Sequence, residues 1–198
     1  MQVLMISGSR NRQGRTARAM EAIDRGVTKG GGTTESIFLV EHDIKRCIQC
    51  ESDGWGICRR EQRCIIEDDF SSIVTRIKSS DVVVFANTVY FHDLTESMRA
   101  FLERLRRTKF RPALPPQGAP IPTPTPIPAV GLCLSGGGGG GAPECCVSLE
   151  RMLQTCGFDV VDMIPLRRQN FEMKLSVLEL TGTWLATKPT SGPGSPPR

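Results

Sequence analysis

The stretch VLMISGSRNRQGRT, residues 3–16, joins a short apolar run to a segment of small and basic residues. The run VLMIS is typical of a strand buried in a parallel sheet. Residues 14–29 then place apolar side chains at helical spacing, and three consecutive glycines follow them. The stretch therefore predicts a strand, a loop and a helix in immediate succession, which is how an alternating α/β fold begins.

The same alternation continues along the chain. Further strands are predicted at 36–40, 81–87, 128–135 and 158–164, and further helices at 67–80, 94–107 and 143–156. Strict alternation indicates a parallel sheet of five strands with helices on both faces. The loops at 8–16, 87–93 and 135–142 should then meet beyond the carboxyl ends of their strands and form one ligand site.

The 198 residues suggest one domain, which we place at 1–182. Its interruptions are a cysteine-rich loop at 41–65 and a proline-rich connector at 111–128, and residues 183–198 have the composition of a disordered tail. No apolar run approaches the ~20 residues that a membrane span needs. The opening apolar run is too short for a secretory signal, so we expect a cytoplasmic protein without a membrane partner.

The formal net charge of +4 is mild. Nucleic-acid surfaces usually carry a strong basic stripe with aromatic side chains, so no nucleic-acid partner is expected. A site for a small anion fits this charge better.

The loop GSRNRQGRT, residues 8–16, has the elements of a phosphate site at a helix N-terminus, where free N–H groups favour an anion. It differs from a nucleoside-triphosphate loop, because five residues separate its glycines and Arg15 replaces the required lysine. Besides its arginines, the loop contains Ser9 and Thr16, whose hydroxyl groups are hydrogen-bond donors. The alternative is a solvated basic turn without a ligand.

Two further loops carry side chains or spaces suited to a flat ligand. ANTVYFHDL, residues 86–94, places aromatic rings beside amide and hydroxyl groups, which suits a planar and partly polar ring system. Core packing is the alternative for its aromatic residues. Six consecutive glycines at 136–141 would let a flat ligand or a partner approach closely, or they form a surface loop without a role.

Eight cysteines fall into two groups. Cys47, Cys50, Cys58 and Cys64 form the pattern C-x2-C-x7-C-x5-C, and clustered cysteines in a chain without a secretion signal indicate metal or redox chemistry. An iron–sulfur cluster, zinc and packed thiols without a ligand all remain open for this group. The other four, Cys133, Cys145, Cys146 and Cys156, are expected to be small buried hydrophobic residues.

Taken together, GSRNRQGRT, CIQCESDGWGICRREQRCIIEDDF, ANTVYFHDLTESMRAFLERL and SGGGGGGAPE resemble the NADPH-dependent FMN reductases of the flavodoxin-like superfamily. Within that family they resemble the branch that includes the iron–sulfur flavoproteins, and the resemblance runs over about residues 1–165. It implies a flavodoxin-like three-layer sandwich whose five-stranded parallel sheet has the order 2-1-3-4-5.

The resemblance also implies a set of FMN-binding residues. Ser9, Arg10, Gln13, Gly14, Arg15 and Thr16 would hold the phosphate, Asn87, Thr88, Val89, Tyr90 and Phe91 would line the isoalloxazine ring, and Ser135, Gly136, Gly137 and Gly138 would close its other side. Cys47, Cys50, Cys58 and Cys64 would be the ligands of a [4Fe–4S] cluster. The chain departs from the iron–sulfur flavoproteins here, because seven residues instead of two separate the second and third cysteines.

The reaction implied is hydride transfer from NAD(P)H to FMN, followed by reduction of a small-molecule or protein electron acceptor. The flavin carries this chemistry, so no catalytic side chain is assigned. Members of the family usually form dimers with the flavin near the interface, and a homodimer or homotetramer is expected. The alternatives are an iron–sulfur flavoprotein, a flavodoxin-type electron-transfer protein and a zinc-stapled binding module.

Overall fold

The computed structural model describes residues 1–52, 54–108 and 126–187. Its strands are β1 Gln2–Ser7, β2 Thr33–Phe38, β3 Val82–Thr88, β4 Pro128–Ser135 and β5 Asp159–Arg167. Its helices are α1 Arg15–Lys29, α2 Cys58–Glu61, α3 Phe70–Ser79, α4 Glu96–Thr108, α5 Ala142–Thr155 and α6 Phe171–Thr187. Most of the connector, from 111 to 125, and residues 188–198 of the expected tail lie outside this description.

The five strands form one parallel sheet in the order β2-β1-β3-β4-β5, which confirms the predicted order. β3 and β4 are buried along nearly their whole length, as expected of central strands covered on both faces. One face packs against α3, α4 and α5, and the other packs against α1 and α6. The molecule is therefore a three-layer α/β/α sandwich.

The strand at the β2 edge begins and ends earlier than the apolar run 36–40 predicts. β2 covers Thr33–Phe38, and Leu39–Glu41 turn into a short 3-10 helix. The first residues of β2 are polar because an edge strand is only partly covered by the core. The expected loop at 41–65 also contains a short helix, α2.

The last helix, α6, extends the fold beyond the fifth predicted strand. Residues 183–187 belong to this helix and not to a disordered tail, which corrects the expected domain boundary at 182. Leu178 and Leu185 are buried against the sheet layer and explain why the helix continues. None of the helices in the described residues has the length and apolar character needed to cross a bilayer.

Helices α1 and α6 touch through glycines. A Cβ added to Gly26 would lie 2.0 Å from the backbone oxygen of Glu179, and one added to Gly182 would lie 2.2 Å from the backbone oxygen of Ile23. The two backbones are therefore in direct contact. Any side chain at either glycine would push the helices apart.

The prediction that the four cysteines outside the clustered group are buried is confirmed. Cys133, Cys145, Cys146 and Cys156 all lie inside the layer between the sheet and helices α4 and α5.

Candidate functional site

A cleft of about 520 Å³ lies at the carboxyl edge of the sheet, where the connections from β1 and β3 leave in different directions. Such a switch point is where open parallel sheets bind ligands. The cleft contains nine of the fifteen residues predicted to bind the cofactor: Ser9, Arg10, Gln13, Gly14, Arg15, Thr16, Thr88, Tyr90 and Gly136. Asn11, Arg18 and Leu134 also line it, and the sequence analysis did not single them out.

The loop GSRNRQGRT, residues 8–16, leads into α1 and places the N-terminus of this helix at the cleft. No side chain among the described residues caps this helix, and its first turn contains no acidic residue. The first backbone N–H groups of a helix have no partner within it, so they remain available to an anion. Asn11 shapes the loop, because its side-chain oxygen accepts a hydrogen bond from the Gln13 N–H at 2.9 Å.

The arginines of the loop differ in their partners. Arg12 pairs with Glu41 at 2.9 Å, and Arg18 pairs with Glu172 at 3.1 Å. Within the described residues, neither Arg10 nor Arg15 forms an ion pair. The described lining of the cleft includes these two cations and Arg18, and it contains no carboxylate and no histidine. The cleft therefore favours an anionic ligand.

The loops after β1 and β3 are held together by side-chain contacts. The Thr16 and Thr88 hydroxyls are 2.9 Å apart and form a hydrogen bond across the cleft floor. Gly8 lies beside Thr95, and a Cβ at this glycine would be 2.4 Å from the Thr95 hydroxyl oxygen. This close approach packs the end of β1 tightly against the start of α4.

The loop after β3 contains a tight turn that exposes an aromatic ring. Tyr90 and Asp93 exchange backbone hydrogen bonds at 3.0 and 2.9 Å, and the two residues between them have positive φ values of 51° at Phe91 and 64° at His92. Such conformations are unfavourable for residues with bulky side chains. Phe91 is fully exposed (100%), and Tyr90 is 47% exposed beside the Arg10 guanidinium. The turn thus holds an aromatic residue in water at the edge of the cleft.

Replacing Phe91 with asparagine and His92 with glycine should stabilise the chain by about 1–2 kcal/mol, because this pair suits a turn with two positive φ values. Thermal unfolding measures the gain. The control is Phe91→Ala, which removes the ring and keeps an unfavourable residue in the turn. If the double variant is no more stable than the parent, the positive φ values at these two positions do not destabilise the chain.

Several predicted cofactor-binding residues lie outside the cleft lining. Asn87 is buried, and its side-chain oxygen accepts hydrogen bonds from the Thr95 N–H at 3.1 Å and the Thr95 hydroxyl at 3.0 Å. Val89 packs against the hydrophobic core, whereas the Phe91 side chain is fully exposed to solvent. Asn87 thus ties β3 to the start of α4, a role that the sequence analysis did not assign.

The glycine loop reaches the cleft at Gly136, whereas the predicted binding residues Ser135, Gly137 and Gly138 lie outside the lining. The Ser135 hydroxyl donates a hydrogen bond to the Gly140 carbonyl, which closes the loop on itself. A Cβ at Gly136, Gly137 or Gly138 would meet nothing within 4 Å. A Cβ at Gly141, which has a φ of 81°, would lie 2.9 Å from the His92 backbone. The early glycines therefore leave open space, whereas the last one is required by the packing of the turn.

A second, small cavity, with only about 20 Å³ of free space, is lined by all four clustered cysteines. Gly56 packs on Cys50 in the wall of this cavity, and Arg104 and Arg107 of α4 also line the cavity. The pKa of Cys50 is raised, first by burial and then by the negative charge that Cys64 and Cys47 would carry as thiolates. The structure thus brings the four predicted ligands together around one space.

The separation of these cysteines bears on what they hold. Across residues 1–52, 54–108 and 126–187, no three histidine, cysteine or carboxylate side chains are grouped closely enough to share one metal ion. A single zinc ion therefore does not fit this arrangement. The described residues therefore form no ready metal site, and the assignment of these four thiols to a cluster stays a prediction.

One wall of the cysteine cavity rests on a buried ion pair. Arg104 donates to both oxygens of Asp68, at 2.5 and 3.0 Å, and both side chains are almost completely buried. Burial alone would raise the pKa of Asp68, but the hydrogen bonds from Arg104 and from the Lys45 and Phe70 N–H groups outweigh it and lower this pKa. The carboxylate is therefore charged at neutral pH.

The sheet order and the cleft at its switch point define a flavodoxin-like protein, and solved structures agree. The chain superposes on a flavone reductase with a TM-score of 0.70 (17% identity, 94% of this chain and 62% of that chain). It also superposes on the NAD(P)H:quinone oxidoreductase from Methanothermobacter marburgensis with a TM-score of 0.65 (20% identity, 93% and 96% covered). At these identities the likeness concerns the fold.

The family model for NADPH-dependent FMN reductases matches residues 1–170, and the chain belongs to this family. An iron-sulfur flavoprotein of Methanocaldococcus jannaschii is 28% identical over 106 residues, which are 54% of this chain and 52% of that protein. One from Archaeoglobus fulgidus is 25% identical over 114 residues, 58% and 50% respectively. The chain spans about half the length of these curated relatives.

Proposed function

We propose that the chain is an FMN-binding, NAD(P)H-dependent oxidoreductase that passes hydride from NAD(P)H through FMN to an acceptor. The observation that carries the proposal is the cleft itself. A helix N-terminus and two arginines, Arg10 and Arg15, that form no ion pair within the described residues lie beside an exposed aromatic turn and an open glycine loop, in a member of the FMN reductase family.

The FMN phosphate is assigned to the start of α1. The backbone N–H groups of the first turn and the Ser9 and Thr16 hydroxyls supply donors, and Arg10 and Arg15 supply positive charge. Gln13 and Gly14 complete this end of the cleft. A terminal monophosphate needs no magnesium, which agrees with the absence of carboxylates from the described lining.

The flavin ring is assigned to the space between the other two walls. Thr88 and Tyr90 line one side of this space and Gly136 lines the other. Their chain neighbours outside the lining, Val89 and Phe91 on the first side and Ser135, Gly137 and Gly138 on the second, are assigned to the ring as flanking residues. Bound FMN supplies hydride acceptance and electron release in single or paired steps. These residues hold and orient the ring and exclude water from it. Asn87 positions the wall through Thr95.

The cysteine cavity is assigned to a [4Fe–4S] cluster held by Cys47, Cys50, Cys58 and Cys64. Support comes from the shared cavity and from the similarity to iron-sulfur flavoproteins. Such a cluster would carry single electrons to or from the flavin. A flavodoxin-type carrier is the second candidate, but such carriers are usually acidic, whereas this chain has a net charge of +4 and a basic cleft.

Assembly as a homodimer or homotetramer is also proposed. Met173, Val177, Leu180 and Trp184 are exposed on the outer face of α6, at alternating spacings of four and three residues. A stripe with this spacing can pack against the same stripe of a second copy. The acceptor is proposed to be a small molecule or a redox protein, and a cytoplasmic location stays a prediction.

Flavin binding tests the proposed function. Arg15→Gln should weaken FMN binding about tenfold to a hundredfold, since a hydrogen bond to a charged group is worth about 1.5–3 kcal/mol. Riboflavin lacks the phosphate, so its affinity should change little. Flavin fluorescence titration measures both ligands, and anaerobic bleaching by NADPH separates a reductase from a carrier.

The control is Arg25→Gln on the same helix, whose side chain lies at Glu179 and away from the cleft. A parent protein that takes up no FMN would rule out the proposed function. Equal losses for FMN and riboflavin in Arg15→Gln would contradict the phosphate assignment alone.

A further inference from the structure

Three buried thiols meet between β4 and α5. Cys133 and Cys145 are 0% exposed, and Cys146 is 6% exposed. Cys133 contacts both of the others closely enough for hydrogen bonds between their thiols. They form no metal site, because no three histidine, cysteine or carboxylate side chains in the described parts of the chain are grouped closely enough to hold an ion. Buried thiols usually serve as packing residues, but two thiols in contact can also join as a disulfide.

A chain of hydrogen bonds links Cys145 to the cleft at the carboxyl edge of the sheet. Asn87 of β3 pairs in register with Cys133 of β4, so their side chains lie on the same face of the sheet. The Asn87 amide nitrogen donates to the Cys145 sulfur at 3.4 Å and to the Thr88 carbonyl at 2.8 Å. Thr88 lines the cleft, where its hydroxyl is 2.9 Å from the Thr16 hydroxyl. A movement of the Cys145 sulfur therefore reaches the cleft through one side chain, Asn87.

The contacts make Cys145 the more reactive sulfur of the pair. Hydrogen bonds from Cys133 and from Asn87 outweigh burial and lower the pKa of the Cys145 thiol. The pKa of Cys133 is raised, first because its thiol is hydrogen-bonded to Cys145. The thiolate is the form of cysteine that attacks an oxidant, and a neighbouring thiol then converts the product to a disulfide.

We infer that Cys133 and Cys145 are a modification site, at which a peroxide converts the two thiols to a disulfide and loosens the wall of the cleft. The effect on the cleft rests on the proposed function, whereas the site itself does not. The Cys145 sulfur attacks one peroxide oxygen, the O–O bond breaks, and a sulfenic acid and water form. The Cys133 sulfur then attacks the sulfenic acid, the S–S bond forms and a second water leaves. Two thiols thus lose two electrons and two protons, and hydrogen peroxide becomes two water molecules.

The disulfide should change the cleft through Asn87. Its sulfur atoms are about 2 Å apart, so the Cys145 sulfur moves toward Cys133 and leaves its hydrogen bond with Asn87. Loss of one neutral hydrogen bond corresponds to about twofold to tenfold weaker FMN binding. Riboflavin binding should weaken by the same factor, because this wall is assigned to the ring and not to the phosphate.

The test maps the bond and measures flavin affinity on the same sample. The full chain is reduced, freed of reductant, exposed to a small excess of hydrogen peroxide and alkylated at its remaining free thiols. Cleavage after Glu144 separates Cys133 from the other two thiols, so mass spectrometry detects the bond as a pair of linked peptides. The parent should form this linkage, and a thiol reductant should reverse both the linkage and the loss of flavin affinity.

Cys145→Ser and Cys146→Ser are matched variants, because they change neighbouring buried thiols that both contact Cys133. Peroxide should produce no Cys133 linkage and no change of flavin affinity in Cys145→Ser, whereas Cys146→Ser should respond as the parent does. Cys133→Ser removes the same bond from the strand side and should behave as Cys145→Ser does.

Free Cys133 and Cys145 in the peroxide-treated parent would overturn the inference, and so would a Cys133 linkage that persists in Cys145→Ser. A linkage formed with unchanged flavin affinity would overturn the coupling to the cleft. Peptide mapping needs no flavin, so a parent that takes up no FMN would rule out the proposed function while the linkage still decides the modification site.

Discussion

Replacing Asp68 with alanine is expected to destabilise the chain by about 3–5 kcal/mol, the usual cost of removing one partner from a buried ion pair. The substitution leaves Arg104 buried with its positive charge uncompensated by any carboxylate in the described residues. It also deletes the acceptors of the Lys45 and Phe70 N–H groups. The loop before α3 and the wall of the cysteine cavity should therefore loosen together.

Chemical unfolding measures this effect, and Glu67→Gln is the matched control. Glu67 is the exposed neighbour of Asp68, so removing its charge should change the free energy of unfolding by no more than about 0.5 kcal/mol. Similar losses in the two variants would show that charge at this end of α3, and not the buried pair, determines stability.

The same ion pair gives stability a definite pH dependence. The pKa of Asp68 is lower in the folded chain than in the unfolded one, where an aspartate has a pKa of about 3.9. The contribution is therefore fully present above that value and is lost as the pH falls toward the folded-state pKa. Asp68→Ala should reduce the loss of stability on acidification, since this carboxylate no longer takes up a proton.

The second large effect is expected at Gly26 in the middle of α1. An alanine in a helix interior is normally better than glycine by about 1 kcal/mol. Here the new Cβ would lie 2.0 Å from the Glu179 oxygen and 2.8 Å from the Thr183 nitrogen, both of which are backbone atoms of α6. Neither atom can rotate away, so Gly26→Ala should destabilise by about 2–3 kcal/mol, a typical cost of overpacking.

The measurement is thermal and chemical unfolding, with Gly137→Ala as the control. That position receives the same atom, but nothing lies within 4 Å of it and its φ is not positive. A stabilising Gly26→Ala would contradict the direct contact between the two helix backbones. Because α6 covers one face of the sheet, hydrogen exchange should increase along its buried side in this variant.

Most of the sheet is predictable from the sequence, because its central strands are continuous apolar runs. VLMIS and DVVVFAN have this character. The bounds of each run agree with those of a strand in the structure to within one or two residues. α6 is harder to predict. Its inner face carries Leu178 and Leu185 and its outer face carries Leu180 and Trp184, so the segment shows no single apolar stripe.

The cleft is predictable for a geometric reason, whereas the orientation of single residues is not. Parallel strands end at one edge of the sheet, so the loops after β1, β3 and β4 must meet there. Near the end of β3, the Asn87 side chain faces Thr95 instead of the cleft. Only the packing of α4 determines this direction. Phe91 occupies a positive-φ turn that its residue type disfavours, so no local pattern indicates it.

Arg104 and Arg107 show the same limit at the cysteine cavity. In the pattern of an amphipathic helix, arginines between leucines indicate the solvent side. The partner that draws Arg104 inward is Asp68, 36 residues earlier in the chain. Pairing over that distance depends on how α3 and α4 pack, which the spacing within α4 does not contain.

Helix α4 acts as a rigid spacer between the two cavities. At its start, the Ser97 hydroxyl donates to the Gly8 carbonyl at 3.3 Å, beside the flavin cleft, and Arg104 borders the cysteine cavity. Seven residues separate these contacts, or about 10 Å along the helix axis. The separation of these two contacts is thus set by the helix backbone, so a tilt of α4 would shift the flavin cleft and the cysteine cavity together.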